Sequence, residues 1–185
     1  GVKINAHYNP NSPSTWTGVT WVETDGVQLV AGINWGEKNL IGTLNLSGFT
    51  ALTLLDCHGN DLTALNVSGC TALATLLCHS NRLSSLDLST CAALVSLNCC
   101  TNQLTTLNVS GCNELTNMYC TSNNLATLDV STNTALVKLG CGSNQLTTLD
   151  VSANKGLISL WAFSNQLTTL DVSKNTALTA LYCHS

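Results

Sequence analysis

The sequence predicts a mainly-β solenoid of seven 21-residue coils, with equivalent short strands forming a parallel sheet and a cap over the first coil. Three observations predict it. Leucines recur every 21 residues, at Leu62, Leu83, Leu104, Leu125, Leu146 and Leu167 in one phase and at Leu65, Leu86, Leu107, Leu128, Leu149 and Leu170 in another. Inside each unit the residues alternate with the period of a strand, so Leu76 and Cys78 face inward while Thr75, Leu77 and His79 face out. A repeat this short cannot bury an apolar face alone, so neighbouring units must stack and share one core.

Residues 1–40 form the N-terminal capping segment. They lack the 21-residue phase and hold Trp16, Trp21, Trp35 and both prolines, a composition suited to covering the raw apolar end of a stack. The repeats fill 41–185, as units 41–61, 62–82, 83–103, 104–124, 125–145, 146–166 and an incomplete 167–185. Each unit reads L-x-x-L-[DN]-[VL]-S-x-x-x-x-L-x-x-L-x-C-x-x-N-x. Both halves alternate, so each coil is expected to carry two short parallel strands, with coils about 4.8 Å apart. The chain stops at Cys183-His184-Ser185, within a strand-like segment, which reads as one piece of a longer protein with further C-terminal domains.

Three columns look structural. Asn60, Asn81, Asn102, Asn123, Asn144 and Asn165 place one amide per coil, to be satisfied by backbone groups of neighbouring turns. Ser47, Ser68, Ser89, Ser110, Ser131, Ser152 and Ser173 recur without exception, as expected of hydroxyls bonding the local turn. Cys57, Cys78, Cys99, Cys120, Cys141 and Cys183 share one inward phase, Ala162 filling the missing rung. Stacked about 4.8 Å apart and pointing the same way, they suit reduced, buried thiols better than disulfides, whose Cβ atoms converge to about 3.8 Å. Cys70, Cys91 and Cys112 form a second column continued by Asn133, Asn154 and Asn175, which fits a coil corner. Cys100 falls in an outward phase and is the thiol expected to be reactive.

Composition excludes several function classes. With 6 Lys+Arg against 10 Asp+Glu, a net charge of −4 and only 9% charged residues, no basic patch exists to neutralise nucleic acid. No apolar run approaches the roughly 18 residues of a membrane span. The 32 leucines and the order of the pattern argue against disorder.

The L-x-x-L-x-C-x-x-N-x-L segment followed by L-x-x-L-D-V-S resembles the 21-residue leucine-rich repeats of bacterial surface proteins, the IRREKO class, with an internalin J-like cysteine ladder. The resemblance covers 41–185. It implies a leucine-rich repeat solenoid used for recognition or adhesion in extracellular or bacterial cell-surface proteins, without a defined ligand. Trp16–Trp21, with Val27, Ile33 and Leu40-Ile41-Gly42, is similar to the cap of plant-type extracellular leucine-rich repeats, without its paired cysteines.

No catalytic triad, P-loop or dinucleotide fingerprint is present, so no enzyme activity and no cofactor is expected. His58, His79 and Cys100 share an outward phase beside Asp56, where a zinc site is the sharp reading and a solvated face the bland one. Asp129, Asp150 and Asp171 read as solvated or backbone-capping carboxylates. The informative signal is variation between coils. The Asp/Ser half is monotonous, whereas Asp56, Leu77, Asn98, Tyr119, Gly140, Trp161 and Tyr182 differ, as do His58, His79, Cys100, Thr121, Gly142, Phe163 and His184. Large aromatics gather there, with Gly140 and Gly142 expected to leave a shallow gap. The candidate ligand-binding residues are Tyr119, Trp161, Phe163, Tyr182, Asp56, His58, Leu77, His79 and Asn98, for a protein or glycan partner. The alternative function is a structural spacer in a larger surface protein.

Overall fold

The computed structural model describes residues 16–184. The first fifteen residues of the expected cap, with both prolines, and Ser185 at the end of the seventh unit lie outside the described residues. The described residues begin with β1 (Val19–Thr24) and β2 (Val27–Asn34), an antiparallel hairpin. Its two-residue loop is Asp25-Gly26, with φ of 52° and 76°. This is the aspartate–glycine pairing that a primed hairpin turn demands, because both central residues are left-handed.

From there each coil contributes strands in sequence: β3 (Ile41–Asn45), β4 (Leu54–Asp56), β5 (Asp61–Asn66), β6 (Thr75–Leu77), β7 (Ser85–Asp87), β8 (Ser96–Asn98), β9 (Thr106–Asn108), β10 (Asn117–Tyr119), β11 (Lys138–Gly140), β12 (Ser159–Trp161) and β13 (Ala180–Tyr182). One nine-stranded sheet runs β1-β2-β4-β6-β8-β10-β11-β12-β13, parallel from β2 onward and in register coil by coil. This is the cysteine-bearing half of the repeat. The Asp/Ser half pairs only as β3–β5 and β7–β9, so the second strand expected of every coil forms in the first four alone. Among the described residues there is no helix, and hence none long and apolar enough to cross a membrane.

The core is a single apolar column between the two halves, with Leu55, Leu76, Leu97, Met118, Leu139 and Leu160 at its centre, all fully buried. Cys57, Cys78, Cys99, Cys120 and Cys141 line it, buried and unpaired. The asparagine column satisfies its amides as expected. In Asn81, Oδ1 accepts the Leu62 N–H at 3.0 Å, while Nδ2 donates to the carbonyls of Cys57 at 2.9 Å and Cys78 at 3.2 Å. One side chain thereby ties its own coil to the preceding one, and the motif repeats at Asn102, Asn123, Asn144 and Asn165.

The corner column explains why cysteine and asparagine interchange. Cys70 and Cys112 donate S–H to the carbonyls of Leu46 and Leu88, at 3.2 and 3.3 Å. Asn133, Asn154 and Asn175 donate Nδ2 to the equivalent carbonyls of Val109, Val130 and Val151, each 24 residues back. The thiol supplies the donor to that carbonyl, and asparagine adds a second bond, to the carbonyl 21 residues back. The serine column works differently from expectation. The turn is closed by the Asp or Asn two residues earlier, whose Oδ1 accepts the serine backbone N–H, as in Asp150–Ser152 and Asp171–Ser173 at 2.8 Å. These carboxylates are the backbone-capping groups of the coil. Those N–H bonds, then the serine hydroxyls, hold Asp87, Asp129, Asp150 and Asp171 below the usual carboxylate range.

Candidate recognition face

Because strands alternate, the coil strands of the long sheet turn two positions outward, and the segment just past each strand adds a third. The structure therefore brings all nine predicted site residues onto one face, arranged as two zones.

The first zone lies on β4, β6 and β8. Asp56 Oδ1 accepts hydrogen bonds from the His58 backbone N–H at 3.1 Å and from the His58 ring Nδ1 at 2.6 Å. The His58 ring stacks flat on His79, with centroids 4.8 Å apart and planes 6° from parallel. His79 Nδ1 is buried with no hydrogen-bond partner among the described residues. Burial first, then the charge of His58, push the His79 pKa down, against an opposing pull from Asp56. Leu77 and Asn98 follow on the next strands, both half-buried, and Asn98 Oδ1 accepts the Cys100 backbone N–H at 3.2 Å. The two imidazoles lie face to face rather than converging. Among the described residues, no three His, Cys, Asp or Glu side chains form a group that would hold a metal ion.

The second zone lies on β10 to β13. Tyr119 and Trp161 meet at 6.2 Å with planes 44° apart, and Trp161 and Tyr182 stack at 6.2 Å within 6°. Alongside, Phe163 stacks on His184 at 5.8 Å. The gap expected at Gly140 and Gly142 is closed. A Cβ on Gly142 would meet the Phe163 ring at 2.8 Å, and one on Gly140 the Tyr119 ring at 3.0 Å. The glycines are seats for aromatic rings and do not open a cleft between them. Cys100 also departs from expectation: it is half-buried, and desolvation raises its pKa, so it is not an activated thiol. The exposed cysteine is Cys183, the last of the ladder.

Sequence reasoning missed three residues of this face. Asn34 pairs with Asp56, and Glu37 Oε1 lies 3.9 Å from His58 Nε2. The step from Ile33 to its partner Leu55 is 22 residues, so a strict 21-residue phase cannot align them. Ile33-Asn34-Trp35, with buried ends and a polar centre, was the available signal. Lys138 precedes Leu139 in β11 and stands exposed in the outward column of Asn117 and Ser159. At the N-terminal end of the face, Gly18, Thr20, Ala31, Gly32 and Leu54 line a small apolar cleft without titratable groups.

The family described as At1g61320/AtMIF1, LRR domain, matches residues 33–180. The chain belongs to the leucine-rich repeat family. Among solved structures, this leucine-rich repeat chain is similar to the functional domain of InlJ from Listeria monocytogenes, which includes a cysteine ladder, with 35% identity and a TM-score of 0.66 over 83% of this chain. It shares its fold with the leucine-rich repeat protein LIC12759 of Leptospira interrogans, at 23% identity and a TM-score of 0.63 over 73% of this chain. The internalin inlF of Listeria monocytogenes gives 21% identity and a TM-score of 0.63 over 76%. The chain spans 39%, 43% and 46% of those three structures. Comparison with curated proteins gives no match.

Proposed function

We propose that this chain is a non-catalytic recognition and adhesion module of a bacterial cell-surface or secreted protein. It holds a protein partner against the outward face of the long sheet. Residues 1–40 act as its cap. The observation that carries the reading is the aromatic strip of Tyr119, Trp161 and Tyr182, with Phe163 beside it. Tyr182 is exposed and Tyr119, Trp161 and Phe163 are half-buried, and tryptophan and tyrosine on a rigid scaffold are what binding hot spots are made of. Asp56, His58, Leu77, His79 and Asn98 extend the contact toward the first coils. The rest of each coil is monotonous scaffold, while this face varies from coil to coil.

The ring geometry favours protein over glycan. Trp161 has Tyr119 tilted against it on one side and Tyr182 stacked on the other, so its ring is partly covered and the strip presents ring edges, hydroxyls and an indole N–H. A sugar ring stacks on an open aromatic face. A protein surface fits between edges and donor tips.

A binding screen against extracellular-matrix proteins and glycans tests this, with the double variant Trp161→Ala/Tyr182→Ala beside the unaltered chain. The expected result is saturable binding to a protein, weakened about thirtyfold or more in the variant while circular dichroism is unchanged, as loss of hot-spot aromatics predicts at about 2 kcal/mol or more. Binding retained by the variant would overturn the assignment of the face.

A further inference from the structure

The charges on this face are few and segregated. Across the outward columns of β10 to β13 and the residues just past them, from Asn117 to His184, there is no carboxylate, and Lys138 is the single permanent charge. At the other end stand Asp56, largely buried with its carboxylate bonded to His58, and the exposed Glu37, brought onto the face by its contact with His58. Lys38, the next residue, is exposed, and its backbone N–H goes to Asn60 Oδ1. Arg82 and Asp61 pair with each other at 3.0 Å past the asparagine corner, outside these columns. Between the two ends, β6 and β8 offer only Thr75, Leu77, His79, Ser96, Asn98 and Cys100. Glu37 lies just past β2, and from β2 to β11 is five strand steps, about 24 Å at the usual spacing near 4.8 Å.

We propose that the partner is a protein whose contact surface carries a cation and an anion at least about 24 Å apart, docked in one direction along the sheet. Its cation meets Glu37, and its anion meets Lys138 beside the aromatic strip. The inference rests on the recognition reading above and adds polarity to it. A polyanionic glycan drawn to Lys138 would run into the acidic end, whereas a bipolar protein surface satisfies both. Complementary charge also selects against the reversed orientation, since like charges would then face each other at both ends.

The probe is a library of random twelve-residue peptides displayed on phage and selected on the intact chain. In an extended peptide, about 24 Å is roughly seven residues at 3.3 Å each. The expected binders carry a basic and an acidic residue at about that separation with apolar residues near the acidic one. Each loses about tenfold in affinity against Glu37→Lys and against Lys138→Glu. The double variant Glu37→Lys/Lys138→Glu recovers binding to the peptide with its two charges exchanged. Both side chains are exposed, so folding is checked by circular dichroism alone.

Binders that ignore both charge reversals yet are lost with Trp161→Ala would overturn the polarity and leave the recognition face standing. Binders that ignore all three substitutions, or no binders, would count against both. A heparan sulfate oligosaccharide binding through Lys138, and more tightly to Glu37→Lys, would replace the bipolar protein with an anionic glycan.

Discussion

At His79 the ring that stacks on His58 hides its Nδ1 from water without offering it an acceptor. Protonation would place a charge in a desolvated site against the His58 ring and leave a buried N–H with no partner. The folded pKa therefore lies below the ordinary value near 6.5. The unfolded chain then binds the proton more readily, so this contribution to stability is present above about pH 6.5 and is lost as pH falls toward the folded value. The capping aspartates, whose folded pKa values are depressed, lose theirs only below about pH 4, so the two windows separate. In urea melts between pH 7.5 and 5, His79→Phe, which keeps a stacked ring but removes the titration, is expected to show a flatter dependence than the unaltered chain. Equal slopes would contradict the account. The thiols obey the same physics. Burial raises Cys57, Cys112 and Cys141 to about 12 and Cys91 to about 11, while Cys78, Cys99 and Cys120 lie well above the usual thiol value. Iodoacetamide at pH 8 followed by intact-mass measurement should add one group quickly at Cys183, one slowly at Cys100, and the other eight only on unfolding. Rapid labelling of the ladder in the native state would refute its burial.

Each coil is held to the next by a sheet strand and by one asparagine. Asn123 accepts the Leu104 N–H and donates to the carbonyls of Cys99 and Cys120. Asn123→Ala would leave these groups unpaired in a buried site, at about 1–3 kcal/mol for each, so a loss of about 3 kcal/mol or more is expected in denaturant melts. A loss under about 1 kcal/mol would mean that water or a neighbour replaces the amide. This column was legible from the sequence because a buried amide recurring every 21 residues has no partner except the backbone of the adjacent turns. The inward leucines and ladder cysteines were legible for the same reason, since period two fixes which side they face. Which half forms the continuous sheet was not legible, because Leu107-Asn108-Val109 alternates as well as Asn117-Met118-Tyr119 does. Nor was the filling of the glycine positions: the sequence shows that Gly140 and Gly142 lack side chains, but the rings of Tyr119 and Phe163 take that space by their rotamers. Cys100 was placed outward correctly, yet its neighbours bury half of it.

Across the whole molecule, contacts run from coil to coil, so rigidity is local and additive along the stack. That arrangement separates scaffold from surface. Leucine, asparagine, cysteine and aspartate positions repeat because every coil must fit its neighbours, while outward residues of the long sheet are free to differ. The 22-residue step at β2 joins a hairpin of different sequence to the same sheet, which carries the face past the first coil to Asn34 and Glu37. Recognition through this face is the central claim, and an amide hydrogen-exchange footprint with a bound protein partner tests it most directly. The account predicts slowed exchange concentrated on β10 to β13 and the segments just past them, extending toward β4. Slowed exchange confined to the Asp/Ser turns around Ser131, Ser152 and Ser173, with the long sheet unchanged, would contradict it.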